Sequence, residues 1–137
     1  MKLGNYDFKQ TCSVSPEQYD VFDEKGTQVA YVRLRWGSLY AECPDVGGTE
    51  VYYVGIGNDA GRFRSNNERI RHLKAIAKRI ELFNQPVICP HCGEQHTMNT
   101  YEFDGLINCG IVDIDCLECD QYFMATIVED RIIVNKP

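Results

Sequence analysis

The chain has 137 residues and a formal net charge of −6, and 44% of its residues are hydrophobic and 25% charged. This composition is typical of a globular protein and excludes a disordered chain. No apolar run approaches the roughly 20 residues of a membrane-spanning helix. The start, MKLGNYDFKQ, has no apolar stretch of signal-peptide length. We therefore expect a cytoplasmic protein without a membrane partner.

Residues 19–56 are predicted to form a four-stranded antiparallel meander, because β-type runs alternate with turn residues. The first run, YDVF, leads into DEKG, where Gly26 can adopt the positive φ of a turn. Gly37-Ser38 predicts a two-residue hairpin turn of type II′. LYAEC and VYYVGI follow it as the last two strands. The second strand, TQVAYVRLRW, alternates clearly between a buried face (Ala30, Val32, Leu34, Trp36) and an exposed face (Tyr31, Arg33, Arg35).

A single helix is predicted after the glycine-rich loop GNDAGRFRSN at residues 57–66. The segment that opens this helix, Ser65-Asn66-Asn67-Glu68, fits a capping box in which Glu68 bonds back to the Ser65 amide. Pro86 cannot continue a helix, so the helix should end at Asn84-Gln85-Pro86. Its apolar face comprises Ile70, Leu73, Ile76, Ala77 and Ile80.

Pro86 is also the predicted boundary between two modules. Residues 1–85 then form a ββββα module. Residues 86–137 form a small β-rich module that contains two cysteine pairs and ends in two strands joined by the turn Glu129-Asp130. The predicted fold class is therefore α+β, with a four-stranded antiparallel meander and one packed helix followed by a small β-rich module that contains four cysteines in two pairs.

Basic residues are concentrated around the predicted helix. The segment from Arg62 to Arg79 carries a net charge of +6, so the rest of the chain carries −12. A local basic patch of this kind can bind phosphates or an acidic protein surface. The candidate partner-binding residues are Arg62, Arg64, Arg71, Lys74, Lys78 and Arg79, together with Arg33 and Arg35 on the exposed face of the second strand.

Four of the seven cysteines form two C-x2-C pairs, Cys89/Cys92 and Cys116/Cys119, with 23 residues between the pairs. Each C-x2-C loop turns tightly enough to place both sulfurs on one ion, so four thiolates suit a tetrahedral zinc site. Gly93 favours such a knuckle, because the backbone there turns back over the metal. The segment between the pairs accommodates a β-hairpin, and we expect no helix after Gly93.

The segments CPHCGEQH and CLECD resemble the zinc ribbon family over residues 87 to 134. The resemblance implies that Cys89, Cys92, Cys116 and Cys119 bind one structural Zn²⁺. The chain departs from the family at Asp120, where many ribbons have a second glycine. That departure weakens the expected geometry of the second knuckle and removes no ligand.

The letters Cys-Pro-His-Cys also occur in thioredoxin-like redox sites, but such a motif places its first thiol at the N-terminus of a helix within a βαβ unit. The context here predicts a structural metal site instead. Three neighbouring residues are alternative ligands: His91 is expected to be exposed at the knuckle tip, His96 is near enough to replace a cysteine, and Cys109 either exchanges with a ligand or packs as a small apolar residue. Cys12 and Cys43 are assigned no function.

No catalytic motif accompanies the zinc site. The chain contains no G-x-S-x-G, Walker A or G-x-G-x-x-G motif, and a closed four-thiolate site has no open position for water. We therefore expect a non-enzymatic adaptor, regulator or inhibitor that contacts another protein, with no small-molecule substrate. The alternative is a nucleic-acid-binding protein that uses the basic helix 62–79 and the zinc ribbon, although the acidic remainder would repel a long duplex.

Overall fold

The computed structural model of the chain describes residues 1–12, 16–57 and 60–137. It divides into two compact units, Met1–Ile80 and Glu81–Pro137. The α+β class is confirmed. The predicted loop at 57–66 includes positions 58 and 59, which lie outside the described residues, and the division into domains 1–85 and 86–137 stays a prediction. In the described ranges, neither helix is long and apolar enough to cross a bilayer.

The N-terminal unit contains an antiparallel sheet of six strands that follow one another in sequence order. The predicted count of four was wrong, because two strands precede the four expected ones. Tyr6 and Phe8 in the second strand are buried, so this strand extends the core beyond the predicted meander. The strands are β1 (Lys2–Leu3), β2 (Tyr6–Cys12), β3 (Gln18–Phe22), β4 (Gln28–Arg35), β5 (Ser38–Cys43) and β6 (Thr49–Gly55).

The hairpin between β4 and β5 differs from the prediction by one residue. Leu34 pairs with Leu39 and Arg35 pairs with Ser38, so the turn is Trp36-Gly37 and not Gly37-Ser38. Both turn residues have positive φ, 52° and 75°, which is the pattern of a type I′ turn and not of type II′. Trp36 therefore leaves the buried face on which it was expected and is 76% exposed.

The helix α1 (Asn66–Phe83) begins and ends where the sequence predicts. Ser65 Oγ accepts a hydrogen bond of 3.1 Å from the Glu68 amide, but the Glu68 carboxylate accepts from the Arg64 amide and not from Ser65. Four of its five predicted apolar-face residues, Leu73, Ile76, Ala77 and Ile80, are buried, and Ile70 is half-buried.

One face of the sheet is covered by α1. His72 of α1 lies 3.0 Å from the Tyr52 hydroxyl, and Tyr52 pairs with Ala41, so these two sheet residues belong to the covered face. We call this the inner face; it also carries Ala30, Val32 and Leu34, all buried as predicted. Tyr31, on the other face, was predicted to be exposed but is buried, and its hydroxyl donates to Gln18.

A buried carboxylate attaches the start of α1 to the sheet. Glu17 is 3% exposed and accepts two hydrogen bonds from the Arg69 guanidinium, at 2.7 and 3.0 Å. It also accepts from the Tyr19 hydroxyl at 2.7 Å and from the Phe63 amide at 3.3 Å. Burial raises the pKa of Glu17, but these four hydrogen bonds outweigh it and hold that pKa below its ordinary value of 4.5. Burial and the adjacent carboxylate raise the pKa of Tyr19.

The C-terminal unit combines a two-stranded and a three-stranded antiparallel sheet with a second helix. The three strands have the order β11-β10-β9, and β7 pairs with β8. The predicted last two strands are confirmed, and Glu129 and Asp130 form the turn between them with φ of 49° and 65°. The elements are β7 (Val87–Ile88), β8 (Gln95–His96), α2 (Thr100–Cys109), β9 (Ile111–Asp115), β10 (Tyr122–Val128) and β11 (Arg131–Asn135).

The helix α2 contradicts the expectation that nothing helical follows Gly93. Asn99 and Glu102 form a complete capping box, and Gly110 ends the helix in the left-handed conformation with φ of 78°. Phe103 and Leu106 are fully buried, the Phe103 ring centre lies 5.5 Å from that of Phe83, and α2 also contacts β9 and β10. The helix lies in the 23-residue segment between the two cysteine pairs, for which the sequence predicts only a β-hairpin.

Candidate metal centre

The first cysteine pair lies at the tip of the β7–β8 hairpin. The Cys89 amide donates to the Glu94 carbonyl at 2.9 Å, and the Gly93 amide donates to the Cys89 carbonyl at 2.9 Å. Gly93 has φ of 80°, a conformation that residues with a Cβ adopt at a cost. This turn directs the backbone back on itself directly after Cys92, as the sequence predicts.

The second pair repeats that geometry between β9 and β10. The Cys116 amide donates to the Gln121 carbonyl at 3.0 Å, and the Asp120 amide donates to the Cys116 carbonyl at 2.9 Å. Asp120 occupies the position of Gly93 and has φ of 59°. Aspartate tolerates this left-handed conformation better than most residues, so the second knuckle forms although it lacks the second glycine.

The two hairpins bring the four sulfur atoms together, all within 4.8 Å of one another. Cys89 Sγ lies 3.8 Å from Cys119 Sγ, and Cys92 Sγ lies 3.6 Å from Cys116 Sγ. A tetrahedron with Zn–S bonds of about 2.3 Å has edges of about 3.8 Å. The donor set and its spacing therefore fit a single tetrahedral metal ion, whereas disulfide sulfurs would lie about 2 Å apart.

The electrostatics of the cluster also favour a cation. Burial opposes ionisation of Cys89, but the amides of Cys92 and His91 and the neighbouring thiols hold its pKa at about 6. For Cys92 the Glu94 amide lowers the pKa, but burial and the neighbouring thiols outweigh it and raise that pKa to about 12. The neighbouring thiols therefore stabilise the thiolate of Cys89 and oppose ionisation of Cys92. A bound dication would stabilise all four groups as thiolates.

Two histidines that were alternative ligands have other partners. His91 Nε2 lies 3.0 Å from the Tyr122 carbonyl, to which it donates. It therefore connects the first knuckle to β10. His96 Nε2 lies 2.9 Å from the buried Glu102 carboxylate, which also accepts from the Asn99 amide. Neither histidine belongs to the four-sulfur cluster within the described part of the chain.

The remaining cysteines lie apart from the cluster. Cys109 was expected to pack as a small apolar residue, but it is exposed at the last position of α2. Cys43 is buried in the sheet of the N-terminal unit, and burial raises its pKa to about 12. Cys89 lies in a β-hairpin and not at a helix N-terminus, which is the position that activates the thiol of a redox motif.

The cations predicted as partner contacts are not equally available. Arg79 donates to the Val51 carbonyl at 3.3 Å, and its guanidinium lies 5.6 Å from the Tyr52 ring centre. Arg64 donates to the Gly57 carbonyl at 3.2 Å. Both arginines therefore also stabilise the fold. Arg79 is half-buried, whereas Arg62, Arg64 and three cations of α1 are exposed. We call those three residues of α1, Arg71, Lys74 and Lys78, the helix stripe.

Arg33 and Arg35 lie on the sheet face opposite α1, which we call the outer face. The structure places them beside tyrosines that the sequence did not single out. Arg33 pairs across the strands with Tyr40, and Tyr40 pairs with Tyr53. Those tyrosines alternate with inward-facing residues in β5 and β6, and this period of two was the signal that could have identified them.

No protein-family model, curated protein or solved structure matches this chain.

Proposed function

We propose that the four cysteines bind one structural Zn²⁺ as a zinc ribbon does. The observation that supports this is the pair of sulfur–sulfur distances, 3.6 and 3.8 Å, which match the edges of a zinc–thiolate tetrahedron. When bound, the zinc supplies four bonds and a positive charge that hold the two hairpins together. Since all four ligands come from the protein, the ion has no open position for water.

The role of such an ion is to stabilise the C-terminal unit. A unit of this size buries too little apolar surface for high stability, and metal binding adds free energy of folding. The chain's own contacts prepare the site: the His91 bond to β10 and the paired backbone bonds of each knuckle orient the sulfurs.

Zinc content tests this assignment. Zinc is measured by mass spectrometry on protein purified without added metal, for the natural chain and for Cys89→Ser and Cys116→Ser. The matched control is Cys109→Ser, which changes an exposed cysteine outside the cluster. We expect a single zinc per chain in the natural protein and the control and almost none in the ligand variants. Full zinc content in either ligand variant would contradict the assignment.

We further propose that the protein is a non-enzymatic cytoplasmic adaptor, regulator or inhibitor that contacts an acidic surface of another protein. The helix stripe supports this, because its three cations are exposed and spaced three and four residues apart, on one side of α1. Complementary charge of this kind steers association and sets specificity. Free cysteines agree with a reducing compartment.

The stripe is tested by charge reversal of all three residues to Glu. Proteins that the natural chain retains from a cell extract should elute from it at raised salt. The variant should not retain them. A matched control makes the same change at three exposed lysines elsewhere, Lys2, Lys25 and Lys136. Equal retention by both variants would exclude the stripe. Salt-sensitive binding of random-sequence duplex DNA, single-stranded DNA or RNA that the stripe variant loses would instead support nucleic-acid binding, the alternative function.

A further inference from the structure

The outer face of the six-stranded sheet carries aromatic and basic side chains at its β4–β5 end. The cross-strand row through Arg33 continues to Tyr40 and Tyr53, and the next row contains Arg35 and Ser38. Within the described part of the N-terminal unit, α1 packs on the inner face and leaves these rows without a helix over them. We call Arg33, Arg35, Trp36, Tyr40 and Tyr53 the outer cluster.

The outer cluster presents large apolar surface to solvent. Trp36 is 76% exposed and Tyr53 is 63% exposed. The Arg35 guanidinium carbon lies 3.8 Å from the centre of the Trp36 ring, which is a close cation–π contact. The Tyr53 hydroxyl lies 3.0 Å from Ser38 Oγ, which fixes the orientation of the ring. Exposed, pre-oriented aromatic and arginine side chains are the residue types that dominate binding energy at protein interfaces.

The two positive charges of the outer cluster favour an occupant that carries acidic groups. Arg33 forms no ion pair with the described residues, and the residue is half-buried. Its guanidinium can therefore pair with a carboxylate on an incoming chain. Arg35 contributes a second positive charge on the same face, next to the Trp36 ring.

The neighbouring row distinguishes between two acidic occupants. One residue pair further along the strands, about 7 Å away, the outer face carries Asp20 and Glu42 on either side of Tyr31. A nucleic acid strand is negative along its whole length and would meet these carboxylates as it crossed the sheet. A peptide can place acidic residues over the arginines and neutral or basic residues over the carboxylates.

We propose that the outer cluster is a docking site for an extended, acidic segment of a partner protein. Carboxylates of the segment pair with Arg33 and Arg35, and apolar side chains beside them pack on Trp36, Tyr40 and Tyr53. This inference rests on the proposed adaptor function and adds to it a second surface and the chemistry of its partner.

A random library of displayed 12-residue peptides, selected against the full zinc-loaded chain, tests the site. Enriched peptides should combine Asp or Glu with aromatic, leucine or proline residues. Arg35→Gln and Trp36→Asn should each weaken their binding by about tenfold or more. Asn is chosen because position 36 has positive φ, which Asn tolerates. Tyr101→Ala, which removes an aromatic ring that is 86% exposed in the other unit, should leave binding unchanged.

The outcomes separate this inference from the adaptor proposal. Enriched peptides without acidic residues, or peptides that bind the outer-cluster variants unchanged, would overturn the docking site. If the helix-stripe variant no longer binds those same peptides, the adaptor function stands, and the helix stripe instead of the outer cluster is the binding site. A separate titration with oligouridine tests for RNA binding. If no peptide is enriched, and if the natural chain binds oligouridine whereas Arg35→Gln does not, both the docking site and the adaptor function would be overturned. Circular dichroism of each variant confirms that it is folded before its binding is compared.

Discussion

Replacement of Glu17 by Gln tests the buried network that attaches α1 to the sheet. Gln has nearly the same shape but no charge. Both carboxylate oxygens accept from Arg69, so the NH2 group of Gln faces an Arg69 N–H in either orientation, together with either the Tyr19 hydroxyl or the Phe63 amide. Loss of one partner from a fully buried ion pair costs about 3–5 kcal/mol. The Arg69 side chain is 25% exposed, so water recovers part of that loss. We therefore expect Glu17→Gln to lower the free energy of unfolding by about 2–4 kcal/mol at neutral pH.

The pH dependence of this loss has a definite sign. Hydrogen bonds hold the folded-state pKa of Glu17 below its unfolded value of 4.5. Its contribution to stability is therefore complete at pH well above 4.5 and is lost as the pH falls through the folded-state pKa. The difference between the natural chain and Glu17→Gln should be largest near pH 7 and should shrink steadily in acid.

Urea unfolding followed by circular dichroism measures this difference, and the single tryptophan, Trp36, gives a fluorescence probe in the N-terminal unit. The matched control is Glu24→Gln at an exposed position, which should change stability by less than about 0.5 kcal/mol. A double variant with Arg69→Gln should lose less than the sum of the two single changes. A loss for Glu17→Gln no larger than that of the control, or one that is equal at pH 7 and in acid, would refute the reasoning.

Three further predictions concern the C-terminal unit. Gly93→Ala should lower stability by about 1–2 kcal/mol, because φ at this position is 80°. Asp120→Gly, at the matching position of the second knuckle, should not lower it. Thermal unfolding of the zinc-loaded chains compares the two variants. Asn99→Ala should cost about 1 kcal/mol through loss of the α2 cap, measured by urea unfolding with Asn108→Ala as the exposed control. His91→Ala and His96→Ala should each keep a full complement of zinc in elemental analysis, because neither ring belongs to the four-sulfur cluster of the described residues. Zinc loss from either variant, although circular dichroism shows that it is folded, would contradict the account of the site.

The elements that sequence predicted well depend on local patterns. β3 to β6 follow from period-two alternation and turn residues, and α1 follows from Ser65 and the spacing of its apolar residues. The two knuckles follow from the C-x2-C spacing, which is itself a local constraint. The cluster of four sulfurs could therefore be predicted before any tertiary contact was known.

Where the prediction was wrong, a weak local signal competed with a tertiary one. The turn at Trp36-Gly37 pairs Leu34 with Leu39 and leaves Trp36 outside the strand ladder, exposed to solvent. The capping box Asn99–Glu102 predicts α2, but the apolar pattern after it, Phe103 and Leu106, is short.

Other features follow only from the folded chain. Glu17 and Arg69 are 52 positions apart, and no local pattern indicates that they form an ion pair. The same is true of the outer cluster, which combines residues from three strands and one turn.

The central claim is a zinc ion bound by four thiolates, and X-ray absorption at the zinc edge tests it most directly. The natural chain, purified without added metal, should show a single shell of four sulfur atoms at about 2.3 Å from zinc. Chains without zinc would contradict the claim. So would a shell that contains nitrogen or oxygen at about 2.0–2.2 Å in place of one or more sulfurs.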